Sequence, residues 1–125
     1  MCRTTSTSLS DKMKVDKLRP LPNERTEFAW SHHVTVPGLP GCYVLANYSE
    51  EVLYVGLASV SIRDRMGIHL DTEAKRKPGP FGVPFWFYYL LIPSGPVAPT
   101  ERGWMNQAIL EDGSMPILNK VYSPL

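Results

Sequence analysis

Long apolar runs are missing from this sequence: no stretch approaches the roughly 20 consecutive apolar residues that carry a helix across a bilayer. The first residues, Met1 to Ser10, are polar and lack the basic stub and apolar centre of a secretory leader. A soluble, unsecreted protein of the cytoplasm, with no membrane among its partners, is the expectation. Cysteine is scarce as well. Only Cys2 and Cys42 are present, one in a polar stretch and one in an apolar run, which is too few for a disulfide scaffold and lacks the spacing of a zinc site. A reducing compartment fits that usage. Nor does one sign of charge dominate, since the formal net charge is +1, whereas dedicated nucleic-acid binders usually show a plainly basic balance or stripe. Internal repeats and low-complexity tracts are also lacking.

What is present reads as one globular domain. At 125 residues the chain is long enough to bury roughly two-thirds of its unfolded surface around a single core. A hydrophobic fraction of 43% and a charged fraction of 20% exclude wholesale disorder, and the 12 prolines and 9 glycines imply many loops. Basic residues gather locally: Arg63, Arg65, Lys75, Arg76 and Lys77 lie within one short stretch, where any contact with a polyanion would have to arise.

Residues 1–27 are rich in Ser, Thr, Lys and Asp and read as a polar tail with at most one short helix, which leaves 28–125 as the domain. Turn signals at Pro37-Gly38 and Pro40-Gly41 precede two runs rich in Val, Leu and Tyr, Cys42–Asn47 and Val52–Gly56, a β-hairpin pattern. Ser61 stands where it can cap a helix to Leu70, with Ile62, Met66 and Leu70 on one stripe. After a Pro- and Gly-rich loop, the run from Phe85 to Ile92 is apolar on both alternating faces, as in a strand covered on both sides. Thr100 is placed to cap a last helix from Glu101 to Asp112, stopped by Gly113. The order β-β-α-β-α predicts an α/β (α+β) domain: a small, mostly antiparallel three-stranded sheet flanked by helices.

Within that frame, Gly41-Cys42-Tyr43 opens the first strand and Tyr54-Val55-Gly56 closes the second. Ala58, Ile62, Arg65 and His69 follow, then Glu101, Trp104 and Pro116-Ile117-Leu118-Asn119. This ordered set, spanning residues 41 to 119, resembles the paired signature of the GIY-YIG nuclease family. The resemblance implies a metal-dependent endonuclease that hydrolyses DNA phosphodiester bonds, with Tyr43, Tyr54, Arg65, His69 and Glu101 catalytic. Tyr43 would activate water, Tyr54 would position phosphate, and His69 would assist proton transfer or hold phosphate. Glu101 would bind Mg²⁺ or Mn²⁺, and Asn119 would hold the end of the last helix against the site. Arg63, Lys75, Arg76, Lys77 and Asn119 are the candidate substrate contacts. Most members carry a separate targeting module, so substrate choice would come from the tail, a homodimer or a partner protein.

The residue types support that chemistry independently. Positions 65 and 69 lie side by side on a helix, and a guanidinium matches phosphate oxygens and stabilises charge that builds on them. Arg63 falls on the opposite edge of the apolar stripe and is the alternative to Arg65. Glu101 lines up with Trp104, Met105 and Ala108, so its carboxylate points inward. A divalent cation held by one carboxylate and waters would account for that, with Glu111 as the rival ligand. The plainer reading of Glu101 is a helix-dipole partner exposed to solvent. Paired tyrosines on a hairpin are commonly packing, the aromatic run from Phe85 to Tyr89 is commonly core rather than a base-stacking platform, and His32 and His33 lack a third ligand for metal. Two alternatives to a DNA nuclease stand: a non-catalytic nucleic-acid or protein-binding module of the same fold, and an RNA-directed nuclease.

Overall fold

The computed structural model of the chain describes residues 12–119. Its framework is the hairpin expected from the Val, Leu and Tyr runs. Strand β2 (Gly41–Ala46) pairs antiparallel with β3 (Val52–Ala58), so that Tyr43 stands opposite Gly56 and Leu45 opposite Tyr54. The connecting turn is anchored by Asn47, whose backbone N–H and carbonyl bond Glu51 and Glu50 while its side-chain oxygen accepts from the Glu51 N–H. Glu50 takes the left-handed conformation at φ 68 that this tight return requires.

Strand β4 (Trp86–Leu91) lies on the other side of β2, again antiparallel. All six residues of β2 are therefore buried, covered by strands at both edges and by helices on both faces. Alternation sends Cys42, Val44 and Ala46 to one face and Tyr43 and Leu45 to the other. Helix α2 (Ile62–Leu70) packs Ile62, Met66 and Leu70 against the second face, with Phe87 and Tyr89. As expected, the Ser61 hydroxyl caps it, accepting from the Asp64 N–H at 3.1 Å. Helix α3 (Ala98–Asp112) packs Trp104, Met105 and Ala108 on the first face with Val55 and Tyr88. It ends at Gly113, left-handed at φ 81.

The fold is α+β, and three expectations are corrected. The sheet has four strands, not three, in the order β1-β4-β2-β3, and every pairing is antiparallel. The additional strand β1 (Glu24–Glu27) is a polar edge strand paired to β4, with Arg25 opposite Tyr88. Helix α3 begins at Ala98 rather than after Thr100, because Pro99 falls in its first turn, where its fixed φ suits a helix and its missing N–H leaves no bond unmade. A further short helix, α1 (Trp30–His33), packs on α2.

Residues 1–11 of the segment read as a tail lie outside the described residues. From Lys12 onward that segment is part of the packed structure. Met13, Val15 and Leu18 are buried in the core on the α3 face, around a 3-10 turn at Val15–Lys17. Met13 donates its N–H to Asp112 Oδ1 at 2.9 Å, Trp104 Nε1 donates to the Pro20 carbonyl at 2.8 Å, and Gln107 bonds both the N–H and the carbonyl of Arg19. The segment therefore closes the α3 layer. Among the described residues no helix is long and apolar enough to cross a membrane.

Candidate active site

The register of the hairpin positions the first phenol. A Cβ on Gly56 would come within 2.5 Å of the Tyr43 ring carbon Cζ, so only a residue without a side chain lets the ring cross β3 and send its hydroxyl toward α2. Phe87 stacks beside the same ring, with centroids 5.3 Å apart. Tyr54, two residues before Gly56, projects to the same face and stands 6.2 Å from Tyr43 by ring centroids.

Helix α2 supplies the partners. His69 is 3% exposed, and its ring lies 5.4 Å from that of Tyr43 and 4.9 Å from that of Tyr54. Its Nε2 is 2.7 Å from the Tyr43 hydroxyl. Arg65, one turn earlier, interacts with both phenols, Tyr43 more strongly. The positive charge of Arg65 beside the Tyr43 oxygen favours the phenol as the donor to His69 Nε2. That assignment puts the imidazole proton on Nδ1, which is buried without a hydrogen bond. After α2, a 3-10 turn at Glu73–Lys75 folds back, and the Lys75 ammonium sits over the Tyr54 ring at 4.7 Å from its centroid.

Electrostatics hold the pair neutral. Burial raises the Tyr43 phenol above its ordinary value, Tyr54 adds to the rise, and Arg65 opposes it. His69 is lowered to about 3, mainly by burial and further by the charges of Lys75 and Arg65. At neutral pH the cluster is thus a phenol hydrogen-bonded to an uncharged imidazole, flanked by two fixed cations. An anion placed between Arg65 and Lys75 would offset only the lesser causes of this shift, and burial would still hold His69 low.

Other expected residues fall elsewhere. Arg63 is exposed, and its Nε donates to the Val36 carbonyl at 2.6 Å, so Arg65 rather than Arg63 meets the phenols. Asn119 uses both ends of its amide on Val55, accepting from its N–H and donating to its carbonyl, each at 2.9 Å. It therefore pins the chain after α3 to the free edge of β3, beside Tyr54. Arg76 and Lys77 are exposed, and Lys77 pairs with Glu73 at 3.7 Å. His33 Nε2 bonds the Arg63 carbonyl and His32 faces Glu27.

Glu101 is 5% exposed, which removes the solvent-facing reading. It lies in the α3 layer beside Cys42, whose thiol is pushed up to about 12 by burial and, second, by the Glu101 charge. Cys42 and Tyr43 point to opposite faces of β2, so the carboxylate and the phenols approach from different layers. Glu111, the rival, is exposed near the far end of α3 and pairs with Lys17 at 3.6 Å. Among the described residues no group of three or more His, Cys, Asp or Glu side chains is arranged to hold a metal ion. Two members of the cluster escaped the sequence reading: Phe87, which backs Tyr43, and the stacking of Lys75 on Tyr54. The alternation of β4 carried a signal for the first, and none marked the second. Comparison with protein-family models and with curated proteins finds no match to this chain.

Proposed function

We propose that the chain is a metal-dependent endonuclease of the GIY-YIG type, hydrolysing DNA phosphodiester bonds. The observation that carries the reading is the convergence of Tyr43 from β2, Tyr54 from β3, and Arg65 and His69 from α2 on one small volume, with the Tyr43 hydroxyl 2.7 Å from His69. Two phenols, an imidazole and two cations can together bind and orient a phosphate diester. Arg65 and Lys75 bind the anionic oxygens, and Arg65 stabilises charge that builds on them. Tyr54 orients the diester. His69 holds the Tyr43 hydroxyl in place, and that hydroxyl orients the attacking water.

The buried carboxylate of Glu101 is a hard oxygen donor of the kind Mg²⁺ or Mn²⁺ takes, and such ions are held by one or two carboxylates with waters completing the shell. The donor chemistry fits a single-carboxylate site at Glu101, in the layer across the sheet from the phenols, and a divalent cation held there would supply Lewis-acid stabilisation to a phosphate oxygen that reaches it. A homodimer or a separate targeting protein would supply substrate choice. Supercoiled plasmid incubated with Mg²⁺ or Mn²⁺ tests the reading: wild type nicks it, while chelation by EDTA and the Glu101→Gln substitution each abolish nicking. Equal behaviour of wild type and Glu101→Gln would remove the metal role.

The separate layer of Glu101 favours a second reading, a nucleic-acid or protein-binding module of the same fold without turnover. That reading expects a bound but uncut plasmid. Parallel incubation with RNA separates a DNA-directed from an RNA-directed enzyme.

A further inference from the structure

Tyr48, at the tip of the β2–β3 hairpin, is 73% exposed. It is one wall of a cavity of about 290 Å³ whose other walls include Phe81 and Phe85, with Asn47 and Ser49 at its polar rim. The volume lies at the small end for ligand pockets, suited to a single ring system. Phe85 meets Tyr48 edge-on at 5.1 Å between centroids and Trp86 at 4.8 Å.

The cavity is preformed. Buried Asn47 donates from Nδ2 to both the Phe81 carbonyl and Glu51 Oε1 at 2.8 Å, stitching the loop before β4 to the hairpin. The Phe85 N–H donates to the Ala46 carbonyl at 2.7 Å, and the Phe85 carbonyl accepts from the Phe28 N–H at 2.8 Å. Lys12, paired with Asp112 at 3.9 Å, sits over the Phe81 ring at 4.9 Å, and the chain that links the Tyr43 cluster to Phe81 carries Lys75, Arg76 and Lys77 in succession, Lys77 paired with Glu73. Tyr54 pairs with Leu45, next to the last residue of β2 and three before Tyr48, so the pocket stands at the turn end of the hairpin that carries the second phenol.

We infer that the pocket takes one unstacked nucleobase from a single-stranded stretch of nucleic acid whose backbone runs along Lys75, Arg76 and Lys77. Aromatic faces with a cationic track are the general apparatus for single strands, because every base has a π-face and every phosphate a charge. The inference rests on the nuclease reading of the Tyr43 cluster and narrows its substrate to DNA with an unpaired segment, such as a flap or bubble, over plain duplex.

The test uses the full chain, a thymidine hexanucleotide and EDTA, so that binding is read without cleavage. Amide resonances at 47–49, 81–83 and 85 are expected to shift together with those of Tyr54 and Lys75. Tyr48→Ala is expected to weaken single-strand binding roughly 5- to 150-fold, with duplex affinity unchanged and Tyr48→Phe close to wild type. If shifts are confined to Tyr43, Tyr54 and Lys75, and Tyr48→Ala binds as wild type does, the pocket assignment is overturned while the nuclease reading stands. Shifts at the pocket alone support base binding and count against the phosphate role of the cluster. No shift at either overturns both.

Discussion

The hydroxyl of Tyr43 and Nε2 of His69 stand 2.7 Å apart inside the protein, one from the central strand and one from the helix above it. Both are held neutral. Burial raises the phenol and lowers the imidazole to about 3, so the proton between them does not move until charge nearby changes. This pair links the fold to the chemistry proposed for it.

The neutrality of His69 has a consequence for stability. Its folded value, about 3, lies below the ordinary 6.5, so between those limits the unfolded chain binds a proton that the folded chain does not. Stability is therefore complete above pH 6.5 and lost progressively as pH falls toward 3. Urea unfolding should show about 1.5 kcal/mol less stability at pH 5 than at pH 6.5 from this group. In His69→Gln that part of the slope should vanish. An identical slope in both proteins would refute the neutral, buried histidine.

Gly56 leaves room for the Tyr43 ring. The Cβ of Gly56→Ala would meet that ring at 2.5 Å, and the ring, backed by Phe87, has little space to yield. A loss of about 1–3 kcal/mol is expected in denaturant titration, accompanied by altered resonances at His69. A fully wild-type profile would mean that the ring does not cross β3 as described.

The two arginines of α2 should separate cleanly. Arg65→Ala removes the cation that meets both phenols, and a drop of about 100- to 1,000-fold in nucleic-acid cleavage is expected, the usual loss for one positioned donor. Arg65→Lys should not restore it, because a point charge lacks the planar fork. Arg63→Ala breaks a bond to the Val36 carbonyl and should leave cleavage within a few-fold of wild type. Steady-state rates on one DNA substrate would decide; a reversed ranking assigns the phosphate to Arg63.

Much of this was legible in the residues. The hairpin followed from its Val-, Leu- and Tyr-rich runs and turn signals, α2 from the Ile62, Met66 and Leu70 stripe and Ser61, β4 from an unbroken apolar run, and the end of α3 from Gly113. Arg65 was favoured over Arg63 because it shares a helix edge with His69, and it is Arg65 that meets the phenols. Strand β1 was not legible: Glu24–Glu27 carries no apolar alternation, since an exposed edge strand is held by its backbone pairing to β4. The packing of Met13, Val15 and Leu18 was hidden because three apolar residues among polar ones show neither helical nor strand period. The position of Lys75 depends on a three-residue turn, and the layer of Glu101 depends on which face of the sheet α3 covers. Local sequence specifies neither.

That N-terminal segment supplies a stability test remote from the site. Leu18 is fully buried, and Leu18→Ala should lower the unfolding free energy by about 2–5 kcal/mol, read from the urea midpoint. A change within error would mean that residues 12–18 are not packed on α3.

The most direct measurement of the central claim is the rate of plasmid nicking in Mg²⁺ or Mn²⁺ by wild type and by Tyr43→Phe, which keeps the ring against Phe87 and removes only the hydroxyl that His69 holds. Nicking by wild type and its loss, by at least about 100-fold, in the variant are expected. A variant that cuts as fast as wild type, or a wild type that cuts neither DNA nor RNA, contradicts the account.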